Sequence, residues 1–330
     1  MTNRLCEMLG ISIPIVQAPM GGATTPELAA AVSNAGGLGT LPLWTRTPSE
    51  LRQQVRRTQE LTSGPFAVNL NMEFPQEERL DACLELDVPI ISFFWQDPYA
   101  LVPRAKEAGA IVMHTVGNAE DARRAVDHGI DIIVAQGWEA GGHVRGTVST
   151  MALIPAVKDA VGDIPVIAAG GIADGRGMAA ALTLGASGVW VGTRFLAADE
   201  VAIHPYYQQR ILTTGENDTQ YLEDLFCEGW PDAPHRVIRN STVLQWEQTG
   251  RPKPGKRPGE SIFVGYSPTA GDLTRYRVHT PGRYTTGNIE ALSMWAGQSA
   301  GLVKETMPAH KIVTNMAAET KDVLKGLSQF

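Results

Sequence analysis

Seven histidines are spread along the chain, and His143 stands in the most suggestive surroundings. It closes QGWEAGGH, a glycine-rich loop that directly follows an apolar run. Imidazole exchanges protons near neutrality, so His143 is the catalytic candidate, either as a base toward an acidic carbon or as an anchor for an anion. Capping of a carbonyl is the plainer alternative. His114 ends another apolar run, where it either meets a cofactor or is a satisfied buried histidine. Asn69 sits near the end of FAVNLN, and its amide offers a donor and an acceptor to a flat heterocycle, or makes an Asx turn. Gln136 ends the run before the His143 loop, and Gln96 follows another run. Ala18, Pro19 and Met20 end the first run with small side chains and exposed backbone that suit a ring face.

Glycine marks the same places. The chain has 34 glycines in 330 residues, above the usual ~7%, and they collect where apolar runs stop. Gly137, Gly141 and Gly142 lie in the His143 loop, Gly170 and Gly171 follow Ala169, and Gly192 precedes Thr193. Open backbone there lets phosphate oxygens approach amide groups, and the Thr193 hydroxyl adds a donor. Tight turns alone would use the same glycines. Neither a dinucleotide-binding G-x-G-x-x-G at a strand end nor a G-x-x-x-x-G-K-[ST] loop is present.

The elements that must position these residues follow a simple rhythm. Eight short, nearly continuous apolar runs read as strands: 15–18, 38–41, 66–70, 90–94, 111–115, 131–135, 165–169 and 188–192. Between them lie amphipathic segments, several opened by helix-entry signals such as Thr25-Pro26, Thr47-Pro48 and Asp174. Strand and helix repeated eight times predict an α/β fold, a (β/α)8 TIM barrel, whose strand C-termini form the active face. The expected division is a barrel core over 1–199, an inserted lid over 200–287, and a closing barrel helix with a C-terminal helix over 288–330. The closing helix is expected at 289–303, and RPKPGKRPGE (251–260) reads as a mobile basic loop that could gate an anion.

Composition excludes several classes. Basic residues number 28 and acidic residues 35, a net charge of −7, which argues against nucleic acid as the main partner. No stretch of ~18 apolar residues exists to span a membrane, and the first residues carry no apolar signal region, so a cytoplasmic protein is expected. Three scattered cysteines, Cys6, Cys83 and Cys227, show no metal-ligand spacing, and no metal is expected. Association into a homo-oligomer is compatible with the sequence.

The succession PIVQAPMGG, AAAVSNAGGLG, FAVNLN, QGWEAGGH, IPVIAAGGIADGRG, GVWVGTRFL and TTGNIEALSMWAGQSAGLV resembles the nitronate monooxygenase family, formerly grouped as 2-nitropropane dioxygenase-like. The resemblance covers about 11–200 and 284–303. It implies a TIM barrel that binds FMN non-covalently and oxidises alkyl nitronates, or nitroalkanes, with O2 to a carbonyl compound and nitrite. By motif, the flavin ring would contact Ala18, Pro19, Met20, Asn69 and Gln136 or Gly137. The phosphate would rest on Gly170, Gly171, Gly192 and Thr193, and His143 matches the histidine of the EAGGH loop. Similar motifs occur in flavin-dependent enoyl-acyl-carrier-protein reductases and NADH:quinone reductases, so an NAD(P)H-dependent reductase is the alternative.

Overall fold

A computed structural model describes residues 3–327. Each expected strand forms, with ends shifted by at most one residue. They are β1 (Ile15–Gln17), β2 (Gly39–Pro42), β3 (Phe66–Asn71), β4 (Ile90–Phe94), β5 (Ile111–Val116) and β6 (Ile132–Gln136). A two-residue strand outside the barrel, β7 (Gly142–His143), precedes β8 (Val166–Ala169) and β9 (Gly188–Val191). The eight barrel strands pair in parallel in the order β1-β9-β8-β6-β5-β4-β3-β2. A parallel bridge between Val16 and Leu38 closes the ring. These strands are buried on both faces, which is why their sequences run apolar without alternation.

The helices begin where the entry signals stand. They are α1 (Arg4–Leu9), α2 (Pro26–Asn34), α3 (Pro48–Leu61), α4 (Glu77–Leu84), α5 (Val102–Glu107), α6 (Ala119–Asp127), α7 (Thr150–Val161) and α8 (Gly175–Thr183). The Thr25 side chain accepts from the Leu28 amide at the start of α2, and Thr47 and Glu50 form a reciprocal capping box on α3. Asp174 accepts from the amides of Arg176 and Gly177 and opens α8. Inside the barrel, Val16, Leu38, Ala67, Ile90, Met113, Ile132 and Ile167 pack together, and Leu5, Leu9 and Ile11 close the bottom. The barrel is therefore a filled core, and its open chemistry is confined to the strand C-termini.

After β9 the chain makes a 3-10 turn, Thr193–Ala197, and enters the long polar stretch. That stretch has its own elements: α9 (Pro205–Thr213), β10 (Thr219–Leu222), β11 (His235–Ile238), α10 (Ser241–Gln248), β12 (Phe263–Ser267), β13 (Gly271–Thr274) and β14 (Thr286–Gly287). The sheet β10-β11-β7 is antiparallel and takes its third strand from the His143 loop, which ties the insertion to the barrel mouth.

The segment 289–303 differs from the helix expected there. It forms 3-10 turns at Ile289–Ala291 and Gln298–Leu302, with extended backbone between them. Its polar groups are satisfied from outside. The Ile238 amide donates to the Met294 carbonyl, Tyr207 donates to the Trp295 carbonyl, and Asn240 donates to the Leu292 carbonyl. The Gly297 amide donates to Thr193 Oγ1 and the Gln298 amide to the Glu139 carbonyl. These tertiary partners replace the bonds of a helix, and the apolar spacing reflects burial between barrel and insertion. The barrel is closed instead by α11 (Ala309–Leu327), which packs on α8 and α2. Glu319 on α11 accepts from the Gly175 amide at 2.7 Å.

Candidate active site at the barrel mouth

A cavity of about 720 Å3 opens at the strand C-termini, between the barrel and the insertion. That size falls in the range of small-molecule and cofactor sites. Ala18, Pro19 and Met20 line it from the end of β1, and Asn69 lines it from β3. The amide nitrogen of Asn69 donates to Ser92, at 3.2 Å to its carbonyl and 3.1 Å to Oγ, which leaves Oδ1 buried and unpartnered. An unmatched buried acceptor costs roughly 1–3 kcal/mol, so a ligand N–H placed there would satisfy a standing demand.

Gln136 at the end of β6 lines the cavity and also holds its wall. It donates to the His143 carbonyl at 3.0 Å and accepts from the Arg145 amide at 2.8 Å, which fixes the loop as β7. Gly141 and Gly142 line the cavity beside His143. At Gly141 a Cβ would run into the Ala296–Gly297 backbone, so glycine is needed for the close approach of two chains. Glu139 in the same loop accepts from the Thr150 amide and hydroxyl and caps α7, whose Ser149 supplies no side-chain cap.

Ala169, Gly170, Gly171, Gly192 and Thr193 line the opposite side. Gly170 and Gly171 have φ of +100° and +74°, a backbone region that L side chains rarely adopt. Thr193 accepts from Gly297 and keeps its own hydroxyl proton to donate. This small-residue cradle and the unmatched Asn69 acceptor suit a flat heterocycle carrying a phosphate.

Two expected contacts are absent from the cavity wall. His114 lies on the other face of β5, with Nδ1 3.3 Å from the Phe93 carbonyl and its ring edge-on to Tyr99. Strand alternation explains this, since Met113 and Thr115 face inward and Thr115 lines the cavity. Burial pushes the His114 pKa down to about 4. Gly137 also stands back. Its amide donates to the Ala169 carbonyl at 2.8 Å, and a Cβ would strike the Thr150 backbone at 2.7 Å, so packing against α7 accounts for this glycine. Gln96 is exposed and donates to Glu73.

The basic loop is likewise not a gate at this cavity. Arg257 is turned inward, where it bonds to Glu260, donates to the Leu225 carbonyl at 2.6 Å and lies over the Tyr276 ring. Arg251 pairs with Glu247. None of residues 251–260 lines the cavity.

His143 is enclosed by aromatic rings. Trp230 stacks on it with centroids 3.7 Å apart and planes 26° apart, Trp295 tilts over it at 5.2 Å, and Trp95 meets it edge-on at 6.0 Å. Its Nε2 is buried and unpartnered. Desolvation, then the neighbouring His235, holds its pKa well below the ordinary value, so the ring is neutral at physiological pH. His235 is locked as a structural neighbour. Its Nδ1 is 2.9 Å from the Ala233 carbonyl and its Nε2 accepts from the Phe226 amide at 3.3 Å. Trp95 has φ +81°, a conformation that costs a bulky residue about 1–3 kcal/mol and that clusters at functional sites.

Trp44, Phe74, Phe94, Trp230 and His279 also line the cavity, and sequence reasoning did not single them out. Thr115 was within reach of it, because period-two alternation from Met113 points there. Trp230 and His279 belong to the insertion, which has no repeating pattern to assign a face.

The match to known proteins agrees with this geometry. The family model described as nitronate monooxygenase matches residues 2–82 and 71–319. A probable nitronate monooxygenase of Bacillus subtilis is 34% identical over 96% of this chain and 99% of its own length. A (3aS,4S,5R,7aS)-5-hydroxy-7a-methyl-1-oxo-octahydro-1H-indene-4-carboxyl-CoA dehydrogenase of Rhodococcus jostii is 39% identical over 74% of this chain and 68% of its own. Among solved structures, FabK from Thermotoga maritima superposes with a TM-score of 0.85 at 33% identity, covering 100% of this chain and 99% of that one. Nitroalkane oxidase from Streptomyces ansochromogenes gives 0.78 at 27% identity, covering 98% and 99%. A filled (β/α)8 barrel, a glycine cradle at its mouth and these matches make the chain a member of the nitronate monooxygenase family, an oxidoreductase of the flavin-dependent kind.

Proposed function

We propose that the protein is an FMN-dependent monooxygenase that converts alkyl nitronates and O2 to carbonyl compounds and nitrite. The carrying observation is His143, a neutral, desolvated imidazole with an unpartnered Nε2 on the wall of a cofactor-sized cavity. The flavin ring would lie along Ala18, Pro19 and Met20 with a ring N–H toward Asn69 Oδ1, and the phosphate would rest on Gly170, Gly171, Gly192 and Thr193. When bound, FMN supplies electron acceptance from the substrate and reaction with O2.

The chain's own part is orientation, dryness and one proton. A neutral His143 accepts the α-proton of a nitroalkane, and the imidazolium so formed pairs with the nitronate it leaves behind. With a preformed nitronate, the imidazole acts as a hydrogen-bonding anchor. Trp95, Trp230 and Trp295 keep water from this exchange, which strengthens each polar contact inside. Alkyl groups would pack on the same rings. The kinship with a CoA-ester dehydrogenase and the superposition on FabK favour one other reading, an NAD(P)H-dependent reductase of an enoyl thioester or quinone. Aerobic assays with propyl-2-nitronate decide between them. Nitrite release matched by O2 uptake supports monooxygenation, and flavin-loaded protein that releases no nitrite excludes it.

A further inference from the structure

The imidazole at the barrel mouth is covered. His143 Nε2 is buried without a partner, and so is Nε1 of Trp230, the ring stacked on it at 3.7 Å. Buried tryptophan N–H groups usually find an acceptor. The other rings around Trp230 are Phe74, Phe94 and Trp95, at 6.1, 6.4 and 5.1 Å, and none of them is an acceptor. The stack therefore keeps one donor and one acceptor dry, and both would regain hydrogen bonds if the rings parted. Aromatic packing opposes that separation.

Three tryptophans surround His143, and they are held very differently. Trp95 directly follows β4. Trp295 is pinned, since its carbonyl accepts from Tyr207 and its backbone bridges to Val237. Trp230 stands on a short loop between two anchors. On one side the Glu228 amide donates to the Tyr276 carbonyl at 3.2 Å, and the Glu228 carbonyl accepts from the Val278 amide at 3.0 Å. On the other side the Pro234 carbonyl accepts from the Val144 amide at 2.8 Å. Between them, among the described residues, 229–232 make a single hydrogen bond, and it is local: the Trp230 amide to the Cys227 carbonyl at 3.1 Å. Gly229, Pro231 and Asp232 are exposed, whereas Trp230 is buried. Gly229 and Asp232 have φ of +98° and +52°, one on each side of Trp230-Pro231. A Cβ at Gly229 would meet nothing within 4 Å. Such a loop is held down by one side chain and can lift without breaking a tertiary hydrogen bond.

We propose that residues 229–232 are a gate, closed in this structure, whose plug is Trp230, and that lifting it uncovers His143 Nε2. Closed, the gate keeps water from the imidazole. Open, it lets a reacting group reach that nitrogen, as lids do at many active sites. This rests on His143 as the working imidazole of the site but not on a nitronate substrate.

Diethyl pyrocarbonate, which acylates accessible neutral imidazoles, tests the gate on the flavin-loaded protein at neutral pH. Peptide mass spectrometry would follow the adduct at His143 against that at His310, which is exposed. In the wild type His143 should react at least about tenfold more slowly than His310, because it reacts only through the open state. Trp230→Ala removes the plug and should bring His143 close to the His310 rate. Gly229→Ala keeps the plug but penalises the φ that the closed loop requires. It should speed modification of His143 by roughly three- to tenfold and leave His310 unchanged. Wild-type His143 reacting as fast as His310 would overturn the proposal. So would a Gly229→Ala rate equal to the wild-type rate, since Trp230 would then be a fixed cover. The reagent needs no turnover, so absence of nitrite release would sink the monooxygenase reading and leave the gate standing.

Discussion

The two walls of the cavity are built from opposite materials. The barrel wall is small and open: Ala18, Asn69, Thr115, Gly170, Gly171 and Gly192 stand at strand ends and expose backbone. The wall facing it is bulky and aromatic: Trp230 and Trp295 come from beyond β9 and close over His143. An open wall with one unmatched acceptor is suited to hold a flat, polar group. An aromatic wall is suited to exclude water and to set which substrates enter. For the proposed enzyme this contrast amounts to a division of labour, with rigid strands to hold the cofactor and the insertion to set specificity.

Four substitutions or conditions would break or sharpen that division. The largest effect should come from His143→Asn, which should lower kcat/KM for a nitroalkane by about 10²–10⁴, the usual contribution of a positioned base. The loss with preformed nitronate should be smaller, and equal losses on both substrates would refute the base role. Steady-state kinetics with the two substrates measures it.

Acid should destabilise both the barrel and the insertion through histidines buried behind the two walls. His114 in the barrel and His235 in the insertion have folded pKa values pushed down to about 4 by burial, below the unfolded 6.5. The unfolded chain therefore binds more protons between these values. Stability is fully present above pH 6.5 and falls as the pH drops toward 4, by on the order of 3 kcal/mol for each histidine. Urea midpoints at pH 7 and pH 4.5 would reveal it, and a midpoint unchanged over that interval would refute it.

Gly170→Ala tests the open wall. Its φ of +100° and a Cβ 2.9 Å from the Gly137 carbonyl make alanine costly, by about 1–3 kcal/mol. Purified Gly170→Ala should carry less flavin per chain than wild type, as absorbance against protein concentration would show. Trp230→Leu tests the aromatic wall and should have the smallest effect. Water admitted beside His143 should raise its pKa toward the ordinary value. The acid limb of the kcat/KM profile should then move to higher pH, with flavin content unchanged. An unmoved limb would mean that Trp230 does not shield the imidazole.

The same division explains what the sequence could reveal. The barrel was legible because each strand repeats one pattern, a short apolar run stopped by a glycine or polar residue, and because Thr25, Thr47 and Asp174 mark helix starts by local chemistry. That Ala18, Asn69, Gln136 and Ala169 at strand ends line the cavity followed from topology. His114 and Gly137 went astray through details that a run of letters hides: a one-residue alternation on β5, and the approach of α7. The segment 289–303 has apolar spacing that suits a helix, but its backbone partners are residues far away in sequence, such as Tyr207, Asn240 and Ile238. Arg257 reads in sequence as part of a mobile basic loop because its partners Leu225 and Tyr276 are fixed only by the folded insertion.

The central claim is that this site oxidises a nitronate on a bound flavin. Anaerobic titration of the flavin-loaded protein with propyl-2-nitronate, followed by absorbance, tests it most directly. Rapid loss of the oxidised flavin spectrum, with recovery and nitrite release when O2 is admitted, is the expected result. A spectrum untouched by nitronate but bleached by NADPH would contradict the claim.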